Sequence, residues 1–193
     1  MVTIEEVKKL RTATSISIMQ CKKAFEEAKG DLEKAKIILQ KKGCAIAEKK
    51  AGRTLGSGTV EAYIHNTKKI GAMVILACET DFVAKNEEFV RLARELAMQV
   101  VATTPKYVSR TEIDKNEGIA LKEIFEREAK SKSAELSKKI IEGKFDAHFK
   151  EVALLEQLYI KDPGRTVQDL IDDAVQKFGE RIKLIKFTRY ALR

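Results

Sequence analysis

The hydrophobic positions of the first forty residues fall into three short helical stripes. Ile4, Val7 and Leu10 share one helical face, and Thr3 and Glu6 stand at capping-box spacing ahead of it. After Thr12–Ser15 comes a second stripe, Ile18, Cys21, Ala24, Phe25 and Ala28. Gly30 stops that helix and Asp31 can cap the next. The third stripe, Leu32, Ala35, Ile38 and Leu39, is closed by Gly43. Three helices of this length make a bundle of about 40 residues, marginal on its own. Residues 1–44 are therefore expected to form a small tethered module. The Ala/Lys/Gly-rich stretch that follows, ending in Gly56-Ser57-Gly58, reads as a linker over 45–58.

The pattern then changes period. Val60, Ala62 and Ile64 alternate with Glu61, Tyr63 and His65, and the turn Asn66–Lys69 leads into the apolar run Ile70–Cys78. This spacing predicts a β-hairpin with a one-face edge strand and a more buried central strand. Phe89, Leu92, Ala93, Leu96, Ala97, Val100 and Val101 predict a helix ended by Pro105. Ser109 and Glu112 open a charged helical stretch to about Glu142, where Gly143 breaks it, and Phe145–Leu155 is again helical. Asp162-Pro163-Gly164 reads as a turn. Thr166 caps a helix carrying Val167, Leu170, Ile171, Ala174, Val175 and Phe178, and Gly179 ends it. The last strand, Ile182–Leu192, is expected to pair with the hairpin. Its alternation slips at Leu184-Ile185, which predicts a bulge or cover on both faces. The fold class is α+β, with a helical N-terminal module, a linker, and a core over 59–193 that holds a small antiparallel sheet packed by helices.

Composition narrows the class. At 193 residues and 44% hydrophobic, the chain is long enough to bury a core. Its longest apolar run, nine residues, falls far short of the roughly 20 that span a bilayer. Met1–Leu10 is charged and amphipathic, unlike a signal peptide, so a cytoplasmic location and no membrane partner are expected. Cys21, Cys44 and Cys78 are widely spaced and read as reduced thiols. The net charge of +8 is uneven. Lys41, Lys42, Lys49, Lys50 and Arg53 form a basic segment able to steer the chain toward an acidic protein or RNA. No aromatic residue is interleaved among them, so a base-stacking surface is not indicated.

Chemistry-bearing motifs are sparse. Gly56-Ser57-Gly58 lacks the spacing and the Lys-Ser/Thr of a phosphate loop and precedes a strand, so no nucleotide site, metal or cofactor is expected. His65 and His148 lie in no metal-ligand or catalytic motif. An enzyme is the weak hypothesis, and a hydrolase built on Cys78 and His148 has almost no support. One junction stands out. In "CETDFVAKNEEF", residues 78–89, a carboxylate sits beside a large ring where the apolar strand stops. The plain reading is that Phe82 plugs the core at the strand's end.

These pieces resemble a family. "VKKLRTATSISIMQCKKAFEEAKGDLEKAKIILQKKG", "AYIH", "CETDFVAKNEEF", "PKYVSR", "LLEQLYIKDPGRTVQDLI" and "KFTRY" occur in the order found in bacterial elongation factor Ts and cover nearly the whole chain. The resemblance implies a guanine-nucleotide exchange factor for elongation factor Tu that works by binding. It also implies a three-helix ubiquitin-associated-like module over 1–44 and a single core unit, the short form of the family. In that family the Thr-Asp-Phe-Val segment enters the partner's GTPase domain and displaces its Mg²⁺. Carried over, this names Thr80, Asp81, Phe82 and Val83, with Asp81 either a competing acceptor or a cap. Arg11, Ile18 and Met19 of the N-terminal module would face the same partner, although Ile18 also lies on the core stripe. A single core unit makes a homodimer an expectation. The chain departs from the family in two places. Thr14-Ser15-Ile16-Ser17-Ile18-Met19-Gln20 stands where Thr-Gly-Ala-Gly-Met-Met-Asp is usual, which predicts a stiffer loop. Tyr159 falls where many members have Gln-Pro-Phe after Leu-Leu-Glu.

Overall fold

A computed structural model describes residues 4–14, 16–129 and 134–192. The expected capping box at Thr3 lies outside the described residues, as does Ser15. The helices are α1 (Ile4–Thr14), α2 (Ile18–Glu27), α3 (Leu32–Lys50), the single turn α4 (Asp81–Ala84), α5 (Glu87–Thr103), α6 (Lys115–Ala129), α7 (Ala134–Val152) and α8 (Val167–Phe178). The strands are β1 (Ser57–Ile64), β2 (Ile70–Cys78), β3 (Leu158–Tyr159), β4 (Asp162–Thr166) and β5 (Lys183–Ala191). Among the described residues, no helix is long and apolar enough to cross a membrane.

Local chemistry explains the first three helices. The Ser17 hydroxyl accepts from the Gln20 N–H at 3.4 Å and starts α2. Ser17 has φ −59°, so the position where the family carries glycine needs no left-handed backbone here. The chain leaves α2 through Lys29 and Gly30, both at positive φ, and the Gly30 N–H returns to the Phe25 carbonyl at 3.0 Å. Asp31 caps α3 by accepting from Lys34 N–H at 3.0 Å. Val7, Leu10, Ile16, Cys21, Ala24, Phe25, Ala28, Ala35 and Leu39 form one buried cluster. Ile4 and Ile18 sit on the expected stripes but are exposed.

Several boundaries differ from the sequence reading. α3 does not stop at Gly43 but continues to Lys50, so the first half of the expected linker is helical. Gly43 is instead a close-approach site: a Cβ there would lie 3.1 Å from the Gln176 Oε1 and 3.4 Å from the Asp172 carbonyl. α7 likewise runs through Gly143. The Ser109–Glu112 motif opens only a short 3₁₀ turn, Arg110–Glu112. There the Ser109 hydroxyl bonds Thr111, while Glu112 accepts from the Val108 N–H at 2.9 Å. Asp162-Pro163-Gly164 is strand rather than turn, because Ile160-Lys161 makes the reversal and Tyr159 pairs with Asp162. Pro163 is tolerated since a two-stranded ribbon leaves one edge free of donor demand.

The main sheet has the order β1-β2-β5. The hairpin and the closing strand pair as expected, and Leu192 N–H bonds Lys69 O at 2.8 Å, which sets β5 antiparallel to β2. At the expected slip Leu184 is buried and Ile185 exposed, so that stretch is not covered on both faces. Two compact units divide the chain. One comprises the described residues up to Glu61, Val74–Glu95 and Gln168–Ile185, and includes the N-terminal helices. Among its buried side chains are Val74, Leu76, Phe89, Ile171, Val175 and Leu184. Phe89 meets Phe178 edge to face, with centroids 6.1 Å apart. The other comprises Ala62–Met73, Leu96–Val167 and Lys186 onward. It holds a cluster of Phe149, Val152 and Ala153 flanked by Tyr107, Ile113 and Phe145.

Candidate functional site

The site begins where β2 ends. Cys78 is fully buried, and its thiol donates to the Thr80 carbonyl at 3.2 Å. Burial pushes that thiol up from its ordinary value, with the Glu180 carboxylate adding to the effect, so it is a poor nucleophile. Thr80 is extended (φ −124°, ψ 159°), and the chain then coils for the single turn α4. Val83 and Ala84 face inward and anchor this turn. Phe82 points outward and is 85% exposed. It does not plug the core. A large ring held in water costs apolar hydration that a folded chain normally avoids.

Asp81 lies in the first turn of α4 and pairs with Lys85 at 2.8 Å. That hydrogen bond holds the Asp81 carboxyl below the usual carboxylate range and raises the Lys85 ammonium. The acidic position also suits a helix start. Thr80, the residue that precedes the turn, gives no side-chain cap of its own. Its hydroxyl and its N–H both donate to the Glu180 carboxylate, at 2.6 and 3.0 Å, and the Glu79 N–H joins them at 3.1 Å. Glu79 in turn accepts the Arg181 N–H at 2.5 Å and the Arg53 guanidinium at 3.1 Å. The Arg181 N–H, then Arg53, hold the Glu79 carboxyl below its ordinary range. Arg181 reaches the Arg53 carbonyl, and Lys50 reaches the Gly179 carbonyl.

The N-terminal candidates lie on the same unit. Arg11, Ile18 and Met19 are exposed, Ile18 at 43% and Met19 at 62%. Arg11 and Ile18 line an open cleft of about 540 Å³ together with Lys8, Thr12, Glu88 and Lys177. Glu88 and Lys177 are ion-paired across it. Met19 and the Thr80–Val83 turn are not among its lining residues. Three cations of the basic segment are committed within the chain. Lys42 pairs with Glu27 at 2.6 Å, and Lys50 and Arg53 hold the carbonyl and carboxylate just named.

The profile of the family described as elongation factor TS matches residues 4–193. The chain belongs to the elongation factor Ts family. It is 46% identical to elongation factor Ts of Thermotoga petrophila over 99% of this chain and 96% of that protein. It is 46% identical to the Carboxydothermus hydrogenoformans protein of the same name, over 100% and 89% respectively. A third relative, elongation factor Ts of Desulforamulus reducens, is 45% identical over 96% and 87%. These relatives make the chain an elongation factor of protein biosynthesis.

The partners of the turn are not evident from the sequence pattern. Glu180 and Arg181 lie 100 to 102 positions along the chain from the groups they bond, and Arg53 falls in a basic run whose pattern names no acceptor. The one local signal was charge at the end of α8, where Glu180-Arg181 follows Gly179.

Proposed function

We propose that this chain is a guanine-nucleotide exchange factor for elongation factor Tu that acts by binding, not as an enzyme, and works in the cytoplasm. Phe82, with Thr80 and Asp81 beside it and Val83 anchoring the turn from its buried side, enters the partner's GTPase domain and disturbs its Mg²⁺ site, while Arg11, Ile18 and Met19 provide a second contact. The observation that carries this reading is Phe82, exposed at 85% on a turn whose next two residues are buried. A rigid ring offers large apolar area at small rotamer cost. Mg²⁺ tolerates little displacement of its ligands, and a diphosphate stripped of it dissociates faster. Linkage requires the nucleotide and the factor to weaken each other by the same ratio. Moving the partner from 1:99 to 99:1 nucleotide-free takes roughly 5.5 kcal/mol of differential affinity.

Stopped-flow release of fluorescent GDP from elongation factor Tu tests this. The wild-type chain accelerates release. Phe82→Ala loses about thirtyfold, the kinetic equivalent of a 2 kcal/mol anchor, and its stability stays within about 0.5 kcal/mol of wild type because the ring is 85% exposed. A folded wild-type chain that leaves GDP release unchanged would refute the exchange reading. The commitment of Lys42, Lys50 and Arg53 to partners within the chain counts against RNA as the target. A second copy of the chain is proposed as an additional partner, through the apolar groove argued below.

A further inference from the structure

We infer that Glu180 is a positioning residue for the exchange turn: its carboxylate, delivered from just beyond α8, holds the Thr80 backbone and hydroxyl so that Phe82 is presented in one orientation. This rests on the exchange reading given above, and its test separates the two. A one-turn helix cannot sustain itself, since helix nucleation fixes several torsions for a single hydrogen bond. It also opens with N–H groups that have no helical partner. Here the residue placed to cap it, Thr80, turns its hydroxyl away to Glu180. The donors at the strand-to-turn junction, Glu79 N–H and Thr80 N–H, converge on one Glu180 oxygen at 3.1 and 3.0 Å, and the Thr80 hydroxyl meets the other at 2.6 Å. Three donors on one carboxylate are charge-assisted and fix direction as well as distance.

The arrangement is reciprocal. Glu180 takes N–H groups from the end of β2, and Glu79 at that end takes the Arg181 N–H from beside Glu180. Each backbone segment therefore supplies the acceptor for the other. Arg53 and Lys50, at and beyond the end of α3, grip the same two segments at Glu79 and Gly179. The α3 extension past Gly43 is what brings these cations there. Cys78 adds an inward tether by donating to the Thr80 carbonyl. The backbone of Thr80 is thus held on both sides, immediately before the residues that carry the ring.

The chain contains no tryptophan, so Phe82→Trp places the sole tryptophan at the site, where it is excited apart from the tyrosines. Its time-resolved anisotropy is compared with and without Glu180→Ala and Glu180→Gln. The alanine change frees the turn, and the residual anisotropy falls. The glutamine change keeps an acceptor carbonyl and recovers part of it. In GDP release with Phe82 intact, Glu180→Ala removes three hydrogen bonds and lowers the maximal rate at least about tenfold, the net worth of a single bond to a charged group. The concentration of factor giving half-maximal rate moves far less, because Arg11, Ile18 and Met19 are untouched. Glu180→Gln again falls between. If Glu180→Ala melts below the assay temperature, Glu180→Gln and Thr80→Val, which removes only the 2.6 Å bond, are read instead. Wild-type anisotropy, or a wild-type maximal rate, in folded Glu180 variants would overturn the inference. If the wild-type chain fails to release GDP, the exchange reading falls, and the anisotropy comparison decides the positioning role alone.

Discussion

At the scale of single residues, the exchange turn couples ionisation to geometry. The Glu79 carboxyl sits below its ordinary value, chiefly through the Arg181 N–H and then through Arg53. A depressed native pKa means the group stabilises the fold fully above its unfolded value near 4.5. That contribution is lost as pH falls through the native value. The cations facing it are Arg53 and Lys50, with the Glu180 carboxylate accepting from the Glu79 N–H and the Arg181 guanidinium turned to the Arg53 carbonyl. Thermal unfolding between pH 7 and pH 3 is the measurement. The wild-type midpoint exceeds that of Glu79→Gln at neutral pH, and the gap closes on the acid side of 4.5. A gap that stays constant with pH would mean the Glu79 charge does not matter to the clasp. Asp81 is shifted in the same sense as Glu79 and Lys85 in the opposite one, its contribution being lost as pH rises, but both lie on the open surface, where screening leaves such pairs little net worth.

At the scale of elements, glycine shows what was legible in the sequence and what was not. Gly30 and Gly179 were read as helix ends, and both adopt positive φ, the conformation only glycine takes cheaply. Gly43 and Gly143 were read the same way, yet both lie inside helices. Composition cannot separate a glycine needed for its torsion from one needed for its missing side chain, because the second need arises from a partner far along the chain. The helical stripes, the hairpin and the closing strand were legible because their period reflects which face is buried. The Thr-Asp-Phe-Val segment was legible as a motif, but its exposure was not, since alternation cannot say which way a ring points off a single turn. The clasp by Glu180 was illegible because only tertiary structure joins residues a hundred apart. Substitution separates the glycine roles. Gly143→Ala meets nothing within 4 Å and raises stability by about 0.5–1 kcal/mol, the usual helical gain. Gly58→Ala would bring its Cβ to 2.5 Å from the Leu76 carbonyl oxygen and 2.9 Å from Ala77 Cα. Backbone must shift, at about 1–3 kcal/mol of overpacking. Denaturant midpoints read both, and equal shifts of one sign would undo the distinction.

At the scale of the whole molecule, what remains is the apolar groove in the unit that begins at Ala62. Ala62, Ile64, Ile70, Met73, Tyr190 and Leu192 line it in a volume of about 500 Å³, and Ile64, Tyr190 and Leu192 are exposed. Lys68 and Lys69 stand at it, and no acidic side chain lines it among the described residues. A second copy would cover it by two-fold symmetry, the same patch meeting itself. A stable pair needs about 800 Å² per partner, so the groove would form the centre of the interface rather than its whole. Two copies meeting here bring like charges together, and salt screens that repulsion. The dimer therefore tightens as ionic strength rises, whereas binding to a polyanion through the same lysines would weaken. Sedimentation velocity at rising salt measures this. Wild type shifts toward dimer, and Tyr190→Lys, which replaces an exposed ring with further like charge, stays monomeric and still accelerates GDP release, because Phe82 and Arg11 belong to the other unit. A wild-type chain that is monomeric at every salt concentration would remove the second copy as the groove's occupant.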